Sequence, residues 1–372
     1  MSNEITHDPI YNTVAPDDFV ALLEVDRYAD RTDAFDEIIS ATVDHFWDPN
    51  DARYIDFDEH NLDVTSELIM PADFAPELNC AVADKLDEGQ RIKLANESMR
   101  WSLSSILHGE QGALSLSASL CDVLRDPGAQ EYAANQVREE ARHVTGYARY
   151  IQKRWGTPLP VGNTLKTLLA EIVASPEVYK KLIGMQMLVE GLAMGAFATI
   201  NLKTNDPLLK RLTQMVMSDE AFHHKFGKIW ADRTVPKLTE EEHEKVEAWA
   251  AECFHTLLNN LVNAEQKQVI YREFGLDWQW VRGSILEAFG DEDRRRTMRE
   301  NTNIFRVLIK TLLKAGIITE RTRPIYAAWV DMDELAGEDD EVAGIEVAEA
   351  AMEELKQINR GRKSMIRVRK SA

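Results

Sequence analysis

Hydrophobic side chains follow the helical period along most of the chain, and the most apolar stretch is residues 183–197. Apolar residues lie nearly all round the helix there, which is typical of a helix that is buried on every side. Glu190 is the one charged residue in this stretch and has no basic neighbour in its own helix. The pattern therefore predicts a core helix that carries a carboxylate into the interior.

The same pattern, together with helix-start and helix-stop signals, predicts an all-α protein. Ser175-Pro176-Glu177 is typical of a helix start, and Gly156 after Trp155 is typical of a helix stop. Four long helices are predicted at residues 91–125, 127–155, 176–203 and 207–233. Further helices are predicted at residues 163–174, 239–275, 278–288 and 291–316.

The organisation outside the four long helices follows from composition. Residues 1–90 mix acids, aromatic residues and prolines, which favours turns over long helices, and we expect this segment to wrap around residues 91–233. Residues 234–330 are predicted to pack on the same helices. Residues 331–372 are acidic and then basic, which predicts a flexible charged tail, with a docking tail for a partner as the alternative.

Acids and histidines recur along the chain at one constant offset, and the helix-breaking step Asp126-Pro127 recurs with them, at Asp206-Pro207. The recurring pairs are Glu110 and Glu190, Glu140 and Glu220, and His143 and His223. In both copies the first acid precedes the break by the same spacing, and the second acid follows it by the same spacing. At a rise of 1.5 Å per residue, the first acid lies roughly 24 Å from the helix break and the second acid roughly 20 Å from it. Two antiparallel helices joined at the break therefore bring the two acids nearly level.

This residue set has the chemistry of a site for two metal ions inside a four-helix bundle. A Glu and a His three positions apart lie on one helix face and reach a single ion. Four carboxylates in an apolar core need cations between them, and two divalent ions balance their charge. Carboxylate oxygen and imidazole nitrogen suit iron or manganese, whereas zinc sites more often use thiolates or three protein ligands.

Glu-x-x-His alone is not specific, because five of the nine histidines have a Glu three positions earlier. Only His143 and His223 also have a second Glu further upstream at the spacing that separates Glu110 from Glu140. Glu240 and His243 lie at a capping-box pattern and are predicted to be on the surface. The alternative for the six selected residues is a pair of salt-bridge networks without a metal.

The charge argues against one class of function, and the cysteine content indicates the cellular compartment. A net charge of −20 and a pI near 4.9 repel a phosphate backbone and argue against nucleic-acid binding. The three cysteines show no paired spacing, and the N-terminal residues have no apolar core for export, so we expect a cytoplasmic protein. The chain has no uninterrupted apolar stretch of about 20 residues, so no membrane span is predicted.

Glu110, Glu140-Ala141-Arg142-His143, Glu190 and Glu220-Ala221-Phe222-His223 resemble the ferritin-like superfamily, in particular its di-iron branch. That branch includes bacterial multicomponent monooxygenases, acyl carrier protein desaturases, the ribonucleotide reductase small subunit and arylamine N-oxygenases. The resemblance implies a ferritin-like four-helix bundle with additional flanking helices. It also implies that Glu110 and Glu190 are terminal ligands, that Glu140 and Glu220 bridge two ions, and that His143 and His223 each hold one.

The resemblance extends to residues around the ligands. It implies that Glu139 and Asp219 each hydrogen-bond a ligand histidine of the opposite helix, and that Arg142 supports one of them while Phe222 stands where a second arginine is expected. Tyr147 has the spacing of the radical tyrosine in the ribonucleotide reductase small subunit, although a structural tyrosine with a satisfied hydroxyl is the alternative. Val216 stands where arylamine N-oxygenases carry an extra histidine.

The resemblance therefore implies an O2-dependent non-haem di-iron oxidoreductase that hydroxylates, desaturates or otherwise oxidises a small, mainly apolar organic substrate. The cofactor is two iron ions or a manganese–iron pair, with O2 as co-substrate. We expect an external reductase or ferredoxin, because the chain has neither a Gly-x-Gly-x-x-Gly loop nor a cysteine cluster, and a homodimer is compatible with the family. The alternatives are a radical-generating or metal-oxidase protein that uses Tyr147, and a non-catalytic metal-binding scaffold.

Overall fold

A computed structural model describes residues 7–262, 264–290, 296, 303–338 and 344–360. The described residues are mostly helical, which confirms the all-α prediction. The strands among them form one short hairpin, β1 (His7–Asp8) and β2 (Thr13–Val14). The two strands pair antiparallel, with His7 opposite Val14 and Asp8 opposite Thr13.

The N-terminal segment contains only short elements, as its composition predicts. After the hairpin come a 3-10 turn, helices α1 and α2, and three further 3-10 turns: Phe19–Leu23, Val25–Ala29, Asp36–Asp44, Ala72–Phe74, Pro76–Asn79 and Ala83–Lys85. The segment is tied to the long helices through buried contacts. Arg27, for example, donates from Nε to the Arg125 carbonyl at 2.7 Å.

The first pair of long helices is α3 (Glu88–Cys121) and α4 (Pro127–Trp155), which pack along each other. Asp87 and Gln90 form a reciprocal capping box at the start of α3. The helix ends before the predicted residue 125, because the chain there pairs with the N-terminal hairpin instead. Val14 N–H donates to the Val123 carbonyl at 2.9 Å, and Arg125 N–H donates to the Asn12 carbonyl at 3.0 Å.

After α5 (Asn163–Ala174) the chain forms the predicted helix 176–203, but with three parts. A single turn, α6 (Val178–Lys181), leads into a π-helical segment (Leu182–Val189), and α7 (Glu190–Lys203) follows without a break. The wider π-helical turns were not predicted, because the apolar pattern has no feature that distinguishes them. Helix α8 (Pro207–Thr234) then packs along α7 and contacts α4.

The predicted helix 239–275 is wrong as a single element. Helix α9 (Glu240–Val262) is followed by a 3-10 turn (Ala264–Lys267) and a separate helix α10 (Gln268–Glu273). The change of direction brings Tyr271 and Lys267 to the buried acid Glu77, at 2.7 and 3.1 Å. Such a tertiary contact leaves no mark on the helical period of the sequence.

Helix α11 (Trp278–Ala288) lies where it was predicted, whereas the predicted helix 291–316 is described only in part. Helix α12 (Ile304–Lys314) has its own cap at Asn303, whose side chain accepts from Phe305 and Arg306 N–H. The extended backbone of Asn303 shows that α12 begins there and does not continue an earlier helix. Residues 291–295 and 297–302 lie outside the described residues.

Residues 331–338 and 344–360, which lie in the segment predicted to be a flexible tail, contain helices that pack on the rest of the protein. After α13 (Arg323–Ala327) come α14 (Met332–Gly337) and α15 (Ile345–Arg360), and α15 packs on α8. Ala348, Ala351 and Leu355 are fully buried on one face of α15. Glu354 accepts two hydrogen bonds from Arg211 at 2.7 and 2.8 Å. Residues 361–372, with most of the basic cluster, lie outside the described residues.

Two apolar clusters lie between the long helices, one toward each end of them. One contains Leu116, Tyr132, Met185 and Phe226, and the other contains Leu107, Tyr147, Phe197 and Met215. The 26-residue helical stretch Val178–Lys203 is long and apolar enough to span a membrane, but 72% of its apolar window is buried inside the protein, as in a core helix.

Candidate metal centre

The six predicted ligand residues converge between the two apolar clusters, and all six are buried. They form two groups. In each group, one nitrogen or oxygen atom from every residue lies within 4.8 Å of the corresponding atoms of the others. One group is Glu110, Glu140, His143 and Glu220, and the other is Glu140, Glu190, Glu220 and His223. Glu140 and Glu220 belong to both groups, which is the arrangement expected of bridging carboxylates.

Helix geometry explains the convergence. Asp126 and Asp206 cap the N-termini of α4 and α8 by accepting from Gly128 and Leu208 N–H, at 2.8 and 3.0 Å. Each cap fixes where its helix begins, and the Glu-x-x-His of each helix follows at the same distance. Helix α3 supplies Glu110, and Glu190 is the first residue of α7 after the π-helical segment.

Both histidines direct Nδ1 at the carboxylates. His143 Nδ1 lies 3.2 Å from Glu110, 3.3 Å from Glu140 and 3.1 Å from Glu220. His223 Nδ1 lies 3.1 Å from Glu140, 3.4 Å from Glu220 and 3.9 Å from Glu190. One histidine therefore serves each group.

The other nitrogen of each histidine contacts an acid of the opposite helix, as predicted. His143 Nε2 lies 2.8 Å from Asp219, and His223 Nε2 lies 3.0 Å from Glu139. Arg142 donates to both oxygens of Asp219, from Nε at 2.9 Å and from Nη2. A carboxylate at Nε2 fixes the proton on that nitrogen and leaves the Nδ1 lone pair available to a metal ion.

The cluster has too many acceptors for its donors. Within the described part of the chain, both oxygens of Glu220, Oε2 of Glu140 and Nδ1 of His223 have no hydrogen-bond partner. Buried acceptors without donors are costly, and a divalent cation bound between them removes that cost. With four carboxylates and two imidazoles, the donor set fits two iron or manganese ions.

Protons compete with such cations for the site. Burial raises the pKa of Glu110 and Glu190 well above its usual value, and the charges of neighbouring carboxylates raise it further. Burial lowers the pKa of His143 and His223, but the surrounding acids outweigh it and raise both pKa values well above the usual value. Metal ligation requires all four groups to lose their protons.

Sequence reasoning missed two residues of the N-terminal segment that reach the centre. His45 Nε2 lies 3.3 Å from Glu139 and 3.3 Å from Asp219, the acids that hold the two ligand histidines. The Trp47 indole N–H donates to Asp219 at 2.8 Å. The segment around Trp47 was interpreted as a turn, and no spacing relates it to acids so far along the chain.

His45 also accounts for Phe222, which stands where the resemblance expects a second arginine. The two rings stack with centroids 4.7 Å apart and planes inclined by 5°. The surroundings of the centre are therefore asymmetric, because Arg142 makes its two hydrogen bonds to Asp219, while the position equivalent to Arg142 on α8 is Phe222, stacked on a histidine that lies between the two acids.

Gln136 is a third residue that was not predicted. Its side-chain amide donates to Glu140 at 3.1 Å and to Glu190 at 3.2 Å, so it joins an acid shared by the two groups to an acid that belongs to one of them. It lies one turn before Glu140 on the same face of α4, and that spacing is a signal from which it could be found. Val216, which has the corresponding position before Glu220, is fully buried in the apolar cluster.

Tyr147 is fully buried next to the centre, with its ring stacked on Phe197 at 5.8 Å. No described residue hydrogen-bonds its hydroxyl, so the expectation of a satisfied structural tyrosine is not met. Burial raises its pKa well above the usual tyrosine value, and the charges of Glu110 and Glu220 raise it further. The side chain is therefore held as a neutral phenol.

Small residues follow Glu190 on α7, namely Gly191, Ala193, Gly195 and Ala196, and they could leave room for a substrate or allow close helix packing. A Cβ on Gly191 would lie 3.5 Å from Leu308 of α12, which is ordinary contact. Helix α12 therefore covers this position, and an alanine would also fit there.

Comparisons of the chain with protein-family models, with curated proteins and with solved structures give no match, so the centre is assigned from its own residues.

Proposed function

We propose that the protein is an O2-dependent non-haem di-iron oxidoreductase that acts on a small organic substrate. The observation that carries this proposal is the pair of buried ligand groups that share Glu140 and Glu220 and contain acceptors without donors. A ferritin-like bundle with flanking helices is part of the proposal. It is supported by the packing of α3 along α4 and of α7 along α8.

The ligand roles follow from the two groups. Glu110 and His143 would hold one iron, Glu190 and His223 the other, and Glu140 and Glu220 both. Reduced iron ions, when bound, supply electrons for the activation of O2. The chain's part is to orient the ligands, which Asp219 and Glu139 do through the histidine Nε2 atoms, and to exclude water with the apolar clusters on either side.

Electrons for turnover would come from a separate reductase or ferredoxin. Cys80, Cys121 and Cys253 are free cysteines, and Cys253 is buried in the apolar core. They do not form the ligand set of an iron–sulfur centre. A manganese–iron pair is an equivalent occupant of the same donor set.

Metal analysis of the purified protein tests the proposal. The wild-type chain should hold about two iron or manganese ions, and Glu110→Ala and Glu220→Ala should each lose metal, with the larger loss for the shared Glu220. The matched control is Glu240→Ala, which removes the acid of an exposed Glu-x-x-His and should leave the metal content unchanged.

Reaction with O2 separates an enzyme from a scaffold. Exposure of the reduced protein to O2 should change its optical spectrum within seconds to minutes. Full retention of metal in both variants at the centre would refute the site, and an unchanged spectrum in a metal-loaded protein would leave only the non-catalytic scaffold.

One observation favours a second candidate, a radical-generating or metal-oxidase protein. The Tyr147 hydroxyl is buried beside Glu110 and Glu220 and has no partner among the described residues. Freeze-quench EPR after O2 addition would then show a stable tyrosyl signal that Tyr147→Phe removes. An organic oxidation product that is still formed by Tyr147→Phe would reject this candidate.

A further inference from the structure

Several fully buried side chains on one side of the centre carry polar atoms that have no hydrogen-bond partner among the described residues. The Tyr132 hydroxyl, the Ser117 hydroxyl, Oε1 of Gln136 and both amide atoms of Gln186 find no partner in the part of the chain that the structure describes. All four residues have 0% exposure. Such groups are costly unless something outside the chain pairs with them.

These groups lie in one region. Gln136 and Tyr132 are one and two turns before Glu140 on α4, and Gln186 is one turn before Glu190. The Tyr132 ring stacks on Phe226 at 4.9 Å, and Gln186 lies against Gly227, the next residue of α8. Tyr132, Phe226 and the chain neighbours of Gln186, which are Met185 and Met187, belong to a single apolar cluster, whereas Tyr147 belongs to the other one.

Gln136 connects this region to the centre, because its amide already donates to Glu190 at 3.2 Å. The π-helical segment contributes as well, since it carries Gln186 and ends at Glu190. Short π-helical stretches inside helices are frequent at functional sites. The unpaired amide and hydroxyl therefore lie beside the ligand group of Glu190 and His223.

The protein surface has a pocket at the same end of the helices. A pocket of about 330 Å³ lies between the β1–β2 hairpin and residues 176–179, and Tyr11 and Tyr179 line it. The Tyr11 ring stacks on Trp230 at 6.2 Å. Trp230 lies two turns after His223, roughly 10 Å further along the same face of α8.

We infer that the region bounded by Tyr132, Gln136 and Gln186 is the substrate site, and that the substrate is a planar or aromatic molecule with a hydroxyl, amine or carbonyl group. The inference rests on the proposed function. The rings of Tyr132 and Phe226 bind the apolar body, while Gln186 and Tyr132 supply a donor and acceptors for the polar group. A plain hydrocarbon leaves these groups unpaired and binds more weakly.

Binding of a matched pair of probes tests the inference on the full-length, metal-loaded protein. 4-Fluorophenol and 4-fluorotoluene have nearly the same shape and differ in a hydroxyl and a methyl group, and ¹⁹F NMR measures the binding of both. The wild-type protein should bind the phenol at least about tenfold more tightly. Gln186→Met and Tyr132→Phe should each reduce this preference severalfold.

The matched control is Tyr326→Phe. Tyr326 is also buried with a hydroxyl that no described residue pairs, but it lies on α13 against Phe254. Its substitution should leave the preference unchanged. Gln186→Met should in addition keep or raise Tm, because it replaces an unpaired buried amide by an apolar group of similar shape.

Several results would overturn the inference. The first is equal binding of the two probes by the wild-type protein. The second is a preference for the phenol that is as strong in both site variants as in the wild-type protein. The third is a loss of this preference in Tyr326→Phe that equals the loss in the site variants. An undiminished preference would mean that the phenol binds elsewhere, for instance to the metal itself. Metal content and the spectral response to O2, measured on the same samples, keep the proposals apart. A normal metal centre without a probe preference rejects only the substrate site, and a metal-free chain rejects the proposed function.

Discussion

Asp219 is the most connected acid around the centre. It accepts from the Trp47 indole N–H, from Arg142 and from His143, and His45 lies 3.3 Å away. Burial raises its pKa, but the charges of Arg142 and the two histidines lower it more, so the net shift is well downward. Asp219 thus remains ionised and fixes which His143 nitrogen is protonated.

We expect Asp219→Asn to lower the affinity for only one of the two metal ions, the ion that Glu110 and His143 would hold. An amide at this position can donate to Nε2, which moves the imidazole proton to Nδ1 and removes the lone pair that faces Glu110. Loss of such a partner typically costs about 10- to 100-fold in metal affinity. Mn²⁺ titration followed by EPR measures it.

Glu139→Gln is the matched variant, because Glu139 has the same role for His223. Glu139→Gln should lower the affinity for the other ion, which Glu190 and His223 would hold. Equal loss of both ions in both variants, or of neither, would contradict the assignment of one histidine to each ion.

The π-helical segment is positioned by a glycine on the neighbouring helix. A Cβ on Gly227 would lie 2.9 Å from the Gln186 carbonyl oxygen and 3.1 Å from its Cβ. The first of these contacts is with backbone, which cannot move away alone. Gly227 therefore allows α8 to approach the segment that ends at Glu190.

We expect Gly227→Ala to displace this segment and to lower the free energy of unfolding by about 1–3 kcal/mol. Metal bound by Glu190 should be lost before metal bound by Glu110. Chemical denaturation and metal analysis measure the two effects.

Gly109→Ala is the control. It introduces the same methyl group next to Glu110, but no heavy atom lies within 4 Å of the new Cβ. It should be neutral or stabilising, because alanine favours a helix. Equal effects of the two substitutions would show that close approach at Gly227 is not the cause.

Helix α15 shows that a charged composition does not exclude a packed element. Four of its sixteen residues are glutamates, yet Ala348, Ala351 and Leu355 form an apolar face on α8. Leu355 is 0% exposed.

Leu355→Ala should therefore lower the free energy of unfolding by about 2–5 kcal/mol, the usual cost of such a cavity. The exposed neighbour Gln357 is the control, and Gln357→Ala should change stability by less than about 0.5 kcal/mol. Thermal unfolding compares the two. A negligible effect of Leu355→Ala would mean that α15 does not stay on α8 in solution.

For the molecule as a whole, the centre is a set of buried charges between two apolar clusters, and either protons or metal ions balance them. His143 and His223 have raised pKa values in the folded chain without metal. Their protonated forms therefore stabilise that state fully below the usual histidine value of about 6.5, and the stabilisation is lost as pH rises through the raised values. In the proposed metal-bound form, metal ions would replace these protons.

We expect the metal affinity of the apoprotein to increase with pH and the increase in Tm on metal binding to grow in the same direction. Each bound ion should release at least about one proton. Calorimetric titration with Mn²⁺ in buffers of different ionisation enthalpy measures the release. Binding without proton release would contradict the protonated state assigned to the histidines.

The sequence by itself determined the all-α class and the convergence of the six acids and histidines. Both follow from local rules: the helical period places Glu140 and His143 on one face, and the recurring Asp-Pro caps give both helices the same starting point. The crossed pairing of Asp219 with His143 was predicted from the resemblance to the ferritin-like superfamily and not from a local rule.

Only the tertiary structure decided the contacts made by His45, Trp47 and Gln186, the π-helical turns before Glu190, and the packing of α15. Each of these depends on which distant segment lies alongside. A periodic pattern states which face of an element is apolar, but the free energy that selects its neighbour comes from close packing and buried polar contacts between residues far apart in the chain. For that reason the six converging acids and histidines were evident in the sequence, and the residues that surround them were not.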